Sequence, residues 1–565
     1  MSGLPRANYD AIVVGAGAGG IVAACVLAES GRKVLLVERG SHETFATAGH
    51  RDHLCNQRLS EYGHNAGPDI LGNPRVVVTP EGETTVVAPH ERGYQNNAAV
   101  VGGGTFVYGA QAWRFHPRDF RMASTYGVPA GSSLTDWPFD YAALEPWYDR
   151  AEWEIGVSGD GAAAARLWPR TRDYPMPPVP LGRPGEALRR GAATLGIETL
   201  TPPLLINTVP RDGRAACIGC NTCVGFPCPS DGKNGTQNTV LPRALATGNC
   251  ELVSRAMADR LLTDAAGRIR GVSIMLTRGG EETRRIEVAA DEVVVASGAI
   301  ETARLLLASA SGSEPAGIGN RHDQVGRNLQ GHLSSIVFGL FEEDVGIDAG
   351  PGVTIATTAY THGNPGVIGG GLIADDFTML PAIFFKRALP PDLRRWGHDA
   401  KRFMRDNYRR VVRLWAPAQD IPTPDARVTL DPVVKDRFGL PVARLAGVCH
   451  PETVRTARFM FDRARDWLDA AGAIRTWGAL PTAVLSGGQH QAGTCRMGTD
   501  PRTSVTDPFG RVWGHDNLWI ADGSLHPTNG GFNPVLTIMA LAYRVSHGIA
   551  DGELAAQGAE ASGLA

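Results

Sequence analysis

Gly15-x-Gly17-x-x-Gly20 is the first spacing in the chain suited to a chemical task. Glycines at these intervals permit a tight turn, let backbone approach a pyrophosphate closely, and let the following helix press on the preceding strand. The N–H groups at the start of that helix then face the phosphates. Glu38 stands where a carboxylate accepts hydrogen bonds from an adenosine ribose. Arg39 beside it suits a 2′-phosphate, although a surface arginine is the commoner outcome. The fingerprint alone does not separate NAD from FAD. A second stretch, Val100–Ala110, carries Gly103, Gly104, Thr105, Val107, Tyr108, Gly109 and Ala110 without a comparable strand before it, and reads as a loop able to lie against a flat ring. Three further glycine-rich polar segments lie near the C-terminus: His490–Gly498, Leu518–Ser524 with Asp522 and Gly523, and Asn529–Thr537 with Asn533, Pro534 and Val535.

The elements that must hold these residues are partly visible. Tyr9–Val14 reads as a strand, Ile21 to about Ser30 as a helix, Gly31 as a turn and Lys33–Val37 as a strand, together a βαβ unit. A second apolar strand at Asp291–Ser297 leads into helix-suited GAIETARLLLAS. A third at Asn517–Ala521 precedes a long helix from about Pro534 to Ile549. Elements of one parallel sheet are thus scattered along the chain. Between about 333 and 450 the texture becomes β-type (SSIVFGLF, VTIATTAY, VIGGGLIA, RRVVRLWAPA) and predicts an antiparallel sheet, closed by a helix from Pro451 to about Ala471. Lys435-Asp436-Arg437 suits a hairpin turn, Arg402–Arg413 a solvated helix face, and His322 and His332 loops near a domain seam. The segment after Ala556 reads as a frayed tail.

The 565 residues allow two large domains, and a formal net charge of −3 lacks the basic footprint of a nucleic-acid binder or a membrane-surface tract. The opening MSGLPRANYD has no basic and apolar leader pattern, and no long uncharged apolar run follows, so the expectation is a soluble, cytoplasmic protein. Cys217-x2-Cys220-x2-Cys223-x4-Cys228-Pro229 nearly copies a ferredoxin run, with the last gap one residue longer, and four thiolates also suit zinc. Structural cysteines, free or paired, are the third reading of the cluster.

On the GAGAGG fingerprint with Glu38, VVGGGT, WPFDYAALEPWYDRAE, SGAIETARLLLAS, DQVGRNLQGH, RVTLDPVVKDRFGLPV, and HQAGT, ADGS and NPVLT in order, the chain resembles the glucose–methanol–choline (GMC) flavoprotein oxidoreductases over nearly its whole length. The resemblance implies an α/β protein with a discontinuous Rossmann-like FAD-binding domain and an α+β substrate domain whose antiparallel sheet roofs the flavin, as in p-hydroxybenzoate hydroxylase. The expected division is 1–332 (with part of the substrate region at about 125–205), 333–484 for substrate, 485–555 returning to FAD, and a tail at 556–565. The residues named above, with Ala258 and Gly298, are then expected to bind FAD. His490 and Asn533 are expected to face its reactive atom. An alcohol C–H donates hydride readily only once a base within hydrogen-bond reach takes the O–H proton, and histidine suits that role near neutral pH. Pro534, Val535 and the start of the final helix are expected at the flavin's pyrimidine end, where a helix N-terminus favours negative charge.

Within the family the second glycine stretch is most similar to pyranose oxidases and bacterial C-glycoside 3-oxidases. That implies oxidation of a secondary hydroxyl (C2 or C3) of a pyranose or glycoside to a keto-sugar, with O2, giving H2O2, or another acceptor reoxidising the flavin. Some pyranose oxidases link FAD to a histidine where this chain has Val107, so FAD is expected to be noncovalent. Family members using flavin alone carry a similar cysteine-rich loop before a Gly-Lys pair, here Gly232-Lys233, which implies structural cysteines, free or paired, and no metal. Trp113, Trp137 and Trp477 suit stacking on a sugar, with buried packing favoured for each, and a loop at about 344–365 is a candidate cover. A sterol or other alcohol oxidase, and a FAD-containing hydroxynitrile-type lyase, are the alternatives.

Overall fold

Ala11–Val14 is apolar on both faces, the pattern of a strand covered on both sides, and in the computed structural model it lies inside the largest sheet. Described are residues 5–48, 67–91, 93–95, 98–278, 282–346, 350–377 and 380–552. The sheet runs β5-β2-β1-β8-β7-β6, with β16 also on β8. Strands β1 (Asn8–Val14), β2 (Val34–Val37), β5 (Cys250–Val253), β8 (Glu282–Val295) and β16 (Leu518–Ile520) pair in parallel. Strands β6 (Ala256–Thr263) and β7 (Ile269–Arg278) extend the sheet antiparallel from β8. β8 is longer than the strand expected at 291–297: its first half serves β7 and its second half serves β1 and β16. The helix Ala18–Glu29 begins three residues earlier than expected and packs against the helix Val535–Asp551. The two ends of the chain thereby meet over one sheet.

The second sheet is antiparallel, in the order β10-β11-β12-β9-β15, with β9 (His332–Leu340), β10 (Ala356–Thr357), β11 (Ile373–Asp375), β12 (Val411–Gln419) and β15 (Arg475–Trp477). Side chains alternate across a sheet. Val337, Val412, Leu414 and Ala416 accordingly bury against Met460, Phe461, Ala464 and Trp467 of the helix Pro451–Ala470. The register pairs Trp415 with Ile336 and Gln419 with His332, which puts His332 and Trp415 together on the opposite face. His332 therefore belongs to a strand, not to the expected loop. His322 lies in a turn.

Other boundaries also differ. The solvated helix covers only His398–Asn407; Arg413 belongs to β12, where it pairs with Asp376 at 2.5 Å. VTIATTAY and VIGGGLIA yield strands of only two and three residues, since three consecutive glycines in the second run supply no side chains to pack. The third sheet joins β13 (Arg427–Lys435) and β14 (Pro441–Ala446) to β3 (Arg75–Val78) and β4 (Thr84–Val87). The Asp436 carboxylate accepts from the N–H groups of Phe438 (2.9 Å) and Leu440 (3.0 Å), closing the hairpin expected there. The tail at 556–565 and residues 347–349 of the candidate cover lie outside the described residues. Among the described residues no helix is long and apolar enough to cross a membrane.

Candidate active site

A cavity of about 330 Å³ runs from the carboxyl ends of β1 and β2 to the face of β12. Open α/β sheets bind ligands at such strand ends. All the candidate site residues line it except Gly20. Gly20 acts from behind: a Cβ there would lie 1.8 Å from the Gly15 carbonyl oxygen, so its lack of a side chain is what lets the helix seat on the turn. Gly103, at φ +53, comes so near that a Cβ would fall 2.9 Å from Gly17 Cα, and Gly102 N–H donates to Ala16 O at 2.7 Å. The second glycine stretch is therefore clamped onto the first. Thr105 ties this stretch down through Gly102 O (2.7 Å) and Gln237 Oε1 (3.0 Å).

Glu38 ends β2 with its carboxylate buried, accepting from Ala16 N–H at 3.0 Å and Gly40 N–H at 2.8 Å. Burial raises its pKa against those two hydrogen bonds. A carboxylate has about four acceptor positions, so its backbone hydrogen bonds leave acceptor capacity for ribose hydroxyls. Arg39 is not a surface arginine. It lines the cavity and pairs with Glu301 at 3.5 Å, and Glu301 also holds Arg75 (2.7 Å) and Arg304 (3.4 Å). Burial alone would raise the Glu301 pKa, but the three guanidiniums hold it well below the carboxylate range. Asp522 spends its carboxylate on structure: Gly298 N–H and Thr302 Oγ1 donate to one oxygen, and Ser524 N–H and Oγ to the other, at 2.6–2.9 Å. It ties the end of β16 to the helix Ala299–Ala308.

At the far end His490 and Asn533 converge, with Nε2 3.5 Å from Nδ2. Asn529 Nδ2 donates to His490 O at 2.7 Å, fixing the backbone beneath the ring, and Trp415 meets it edge-on with centroids 6.0 Å apart. The buried Asn533 Oδ1 has no hydrogen-bond partner, and an orphaned buried acceptor signals a missing donor. Asn533 precedes the helix Val535–Asp551, whose first-turn N–H groups have no intrahelical partner. Sequence reasoning missed His332, whose Nδ1 lies 2.7 Å from His490 Nδ1. It also missed Trp415, Asp376 and Phe377, which line the same cavity. The β register that brings in His332 and Trp415 leaves no short-range signal. Trp113 and Trp137 are buried in the core and Trp477 stacks on Phe338; none lines this cavity.

The cysteine loop adjoins the cavity without entering it. Lys233 Nζ is buried and donates to the carbonyls of Tyr108 (3.1 Å), Cys223 (2.6 Å) and Phe226 (2.9 Å), pinning the loop under Tyr108. The four cysteines are free, and among the described residues no set of three or more His, Cys, Asp or Glu side chains is placed to hold a metal ion.

Residues 9–334 and 422–542 match the N-terminal and C-terminal patterns described as GMC oxidoreductase. The chain belongs to the GMC oxidoreductase family. It is 32% identical to 6′′′-hydroxyparomomycin C oxidase of Streptomyces lividus, covering 96% of this chain and 91% of that protein. It is 31% identical to paromamine 6′-oxidase of Streptomyces fradiae, with the same coverage. Fructose dehydrogenase large subunit of Gluconobacter japonicus is 28% identical over 96% of this chain and 98% of that one. Among solved structures, pyridoxine 4-oxidase from Mesorbium loti superposes with a TM-score of 0.61 at 17% identity, covering 95% of this chain and 98% of that one. Formate oxidase gives 0.60 at 15%, covering 98% and 100%. The GMC fold and FAD as cofactor follow from family and architecture together, as does oxidation of a CH–OH group. The orphaned Asn533 oxygen, the spare Glu38 acceptors and the clamped glycines fit that cofactor.

Proposed function

We propose that this GMC oxidoreductase oxidises a secondary hydroxyl of a pyranose or glycoside, using FAD held without a covalent bond. The observation that carries the reading is the convergence of His490 Nε2 and the Asn533 amide on the cavity. Bound FAD supplies the two-electron acceptor. Glu38 would hold ribose hydroxyls, the Gly15–Gly17 turn and the start of the helix Ala18–Glu29 would hold the pyrophosphate, and Pro534 and Val535 would hold the flavin. His490 Nε2 takes the hydroxyl proton while Asn533 orients the same oxygen, and Trp415 walls the site. Val107 has no group able to form the covalent link found in some relatives.

The relatives named for aminoglycoside and fructose oxidation support a sugar. Two of those names carry a 6′-type position, which favours a second reading, a hydroxyl outside the ring. The test is anaerobic mixing of the yellow holoenzyme with glucose, an aryl glucoside, a C-glycoside, an aminoglycoside and cholesterol, followed by product identification. Bleaching by a sugar with a ring ketone as product is expected. An aldehyde product selects the second reading, and bleaching by the sterol alone overturns both. No bleaching by any alcohol, with cyanohydrin cleavage instead, selects a lyase.

A further inference from the structure

His332 and His490 approach through like atoms, Nδ1 to Nδ1 at 2.7 Å, with ring planes at 82°. One proton must lie between them, so one ring donates and the other accepts. His332 Nε2 decides which. It faces two carbonyl oxygens, Gly530 O at 2.9 Å and Asn529 O at 3.2 Å, and only an N–H is stable there. A neutral imidazole carries one N–H, so His332 Nδ1 is the acceptor and His490 Nδ1 bears the proton. His490 Nε2 then carries the acceptor lone pair and faces Asn533 Nδ2, a donor, at 3.5 Å.

We propose that His332 is a positioning residue that fixes His490 in the Nδ1–H tautomer, which makes Nε2 the ring nitrogen that accepts a substrate proton. The proposal rests on the reading of His490 as the base. The tautomer of one ring nitrogen is set by the hydrogen bond of the other, and the carbonyls of the loop ahead of Asn533 set His332 in turn. The chain of contacts runs from Asn529 and Gly530 through His332 and His490 to Asn533, so the loop that delivers Asn533 also orients the base beside it. When His490 takes a proton, His332 Nδ1 remains an acceptor for the imidazolium. His332 stays neutral for this purpose: burial pushes its pKa down to about 4, against the two carbonyls and Asp119, which favour the cation. The other titratable groups packed around the pair are His526, also lowered to about 4 by burial, and Asp420, which accepts from Gly331 N–H at 3.2 Å.

Two substitutions divide the roles of the ring. His332→Asn places an amide oxygen near the Nδ1 position and keeps an acceptor for His490. His332→Gln places an amide N–H near the Nε2 position and keeps the loop contact while removing that acceptor. In the FAD-loaded protein, ¹⁵N-histidine NMR, assigned by difference with His490→Gln, reports the tautomer without substrate. Wild type and His332→Asn are expected to show His490 Nε2 unprotonated. His332→Gln is expected to lose that preference and to slow flavin reduction at saturating alcohol by ~10–100-fold, the usual scale for a group that orients another, with His332→Asn restoring most of the rate. A protonated Nε2 in wild type, or His332→Gln fast and His332→Asn slow, overturns the proposal, as do equal rates in both variants. If the tautomer is as assigned and no alcohol bleaches the flavin, the functional reading fails and this inference stands.

Discussion

His490→Ala removes the only side-chain nitrogens that this residue brings to the cavity, and the backbone contact from Asn529 survives because it runs to His490 O. The variant is therefore expected to keep FAD and to lose ~10²–10⁴-fold in the rate of flavin reduction, the range for deleting a general base. Stopped-flow reduction under nitrogen measures it, and normal reduction would remove His490 from its role. Asn533→Ala is expected to cost less, because an orienting amide contributes one hydrogen bond and not the proton acceptor itself. Acid precipitation of wild type is expected to leave the yellow colour in the supernatant, as Val107 offers no nucleophile; colour in the pellet would contradict a noncovalent cofactor.

At the scale of elements, the seat of the helix Ala18–Glu29 on β1 depends on one missing methyl group. Gly20→Ala would drive a Cβ to 1.8 Å from Gly15 O. Overpacking of this kind costs ~1–3 kcal/mol, and here the displaced atoms are the turn itself. Expected are a lower melting temperature and loss of FAD on gel filtration, whereas the exposed Gly196→Ala, outside the cavity, should retain the flavin. Legibility followed the same physics. β1, β2, the end of β8 and β16 are buried on both faces, so their apolar runs announced them. β6 and β7 did not stand out, because AMADRLLT mixes charged with apolar residues at an edge of the sheet. The glycines, Glu38, His490 and Asn533 were legible because their spacing carries their purpose. His332 and Trp415 were not, because β9 and β12 lie some eighty residues apart in sequence and only their register joins them to His490.

The whole molecule carries buried charges whose titration reaches its stability. Arg114 is buried and holds Glu152 through two hydrogen bonds, at 2.7 and 2.8 Å, with Arg170 sharing the same carboxylate. Removing one partner strands the others, so Arg114→Ala is expected to lower unfolding free energy by ~3–5 kcal/mol in urea titrations. Asp375 works in the opposite direction. Burial pushes its pKa up to about 7, against hydrogen bonds from Thr354 and Ile355. A folded-state value above the unfolded one gives stability that is complete below the unfolded pKa and lost as pH rises toward 7. Wild type should therefore weaken between about pH 4 and pH 7 relative to Asp375→Asn, which cannot titrate. Equal pH slopes for the two would remove Asp375 as the cause.

The meeting of the two chain ends also fixes a schedule. β16 pairs with β8, and the helix Val535–Asp551 packs on the helix Ala18–Glu29, so the floor laid down first is closed by segments made more than two hundred residues later. A ribosome that has emitted residues 1–480 has delivered the glycine turns and Glu38 but neither His490 nor Asn533. Until the remaining segment emerges, β8 keeps an open edge and the first helix an uncovered apolar flank. The nascent protein passes that interval with its flavin cavity still lacking the walls that Gln489–Gln491, Asp522–Gly523 and Asn533–Val535 supply, so synthesis of residues 481–551 is the step that completes the cofactor cradle.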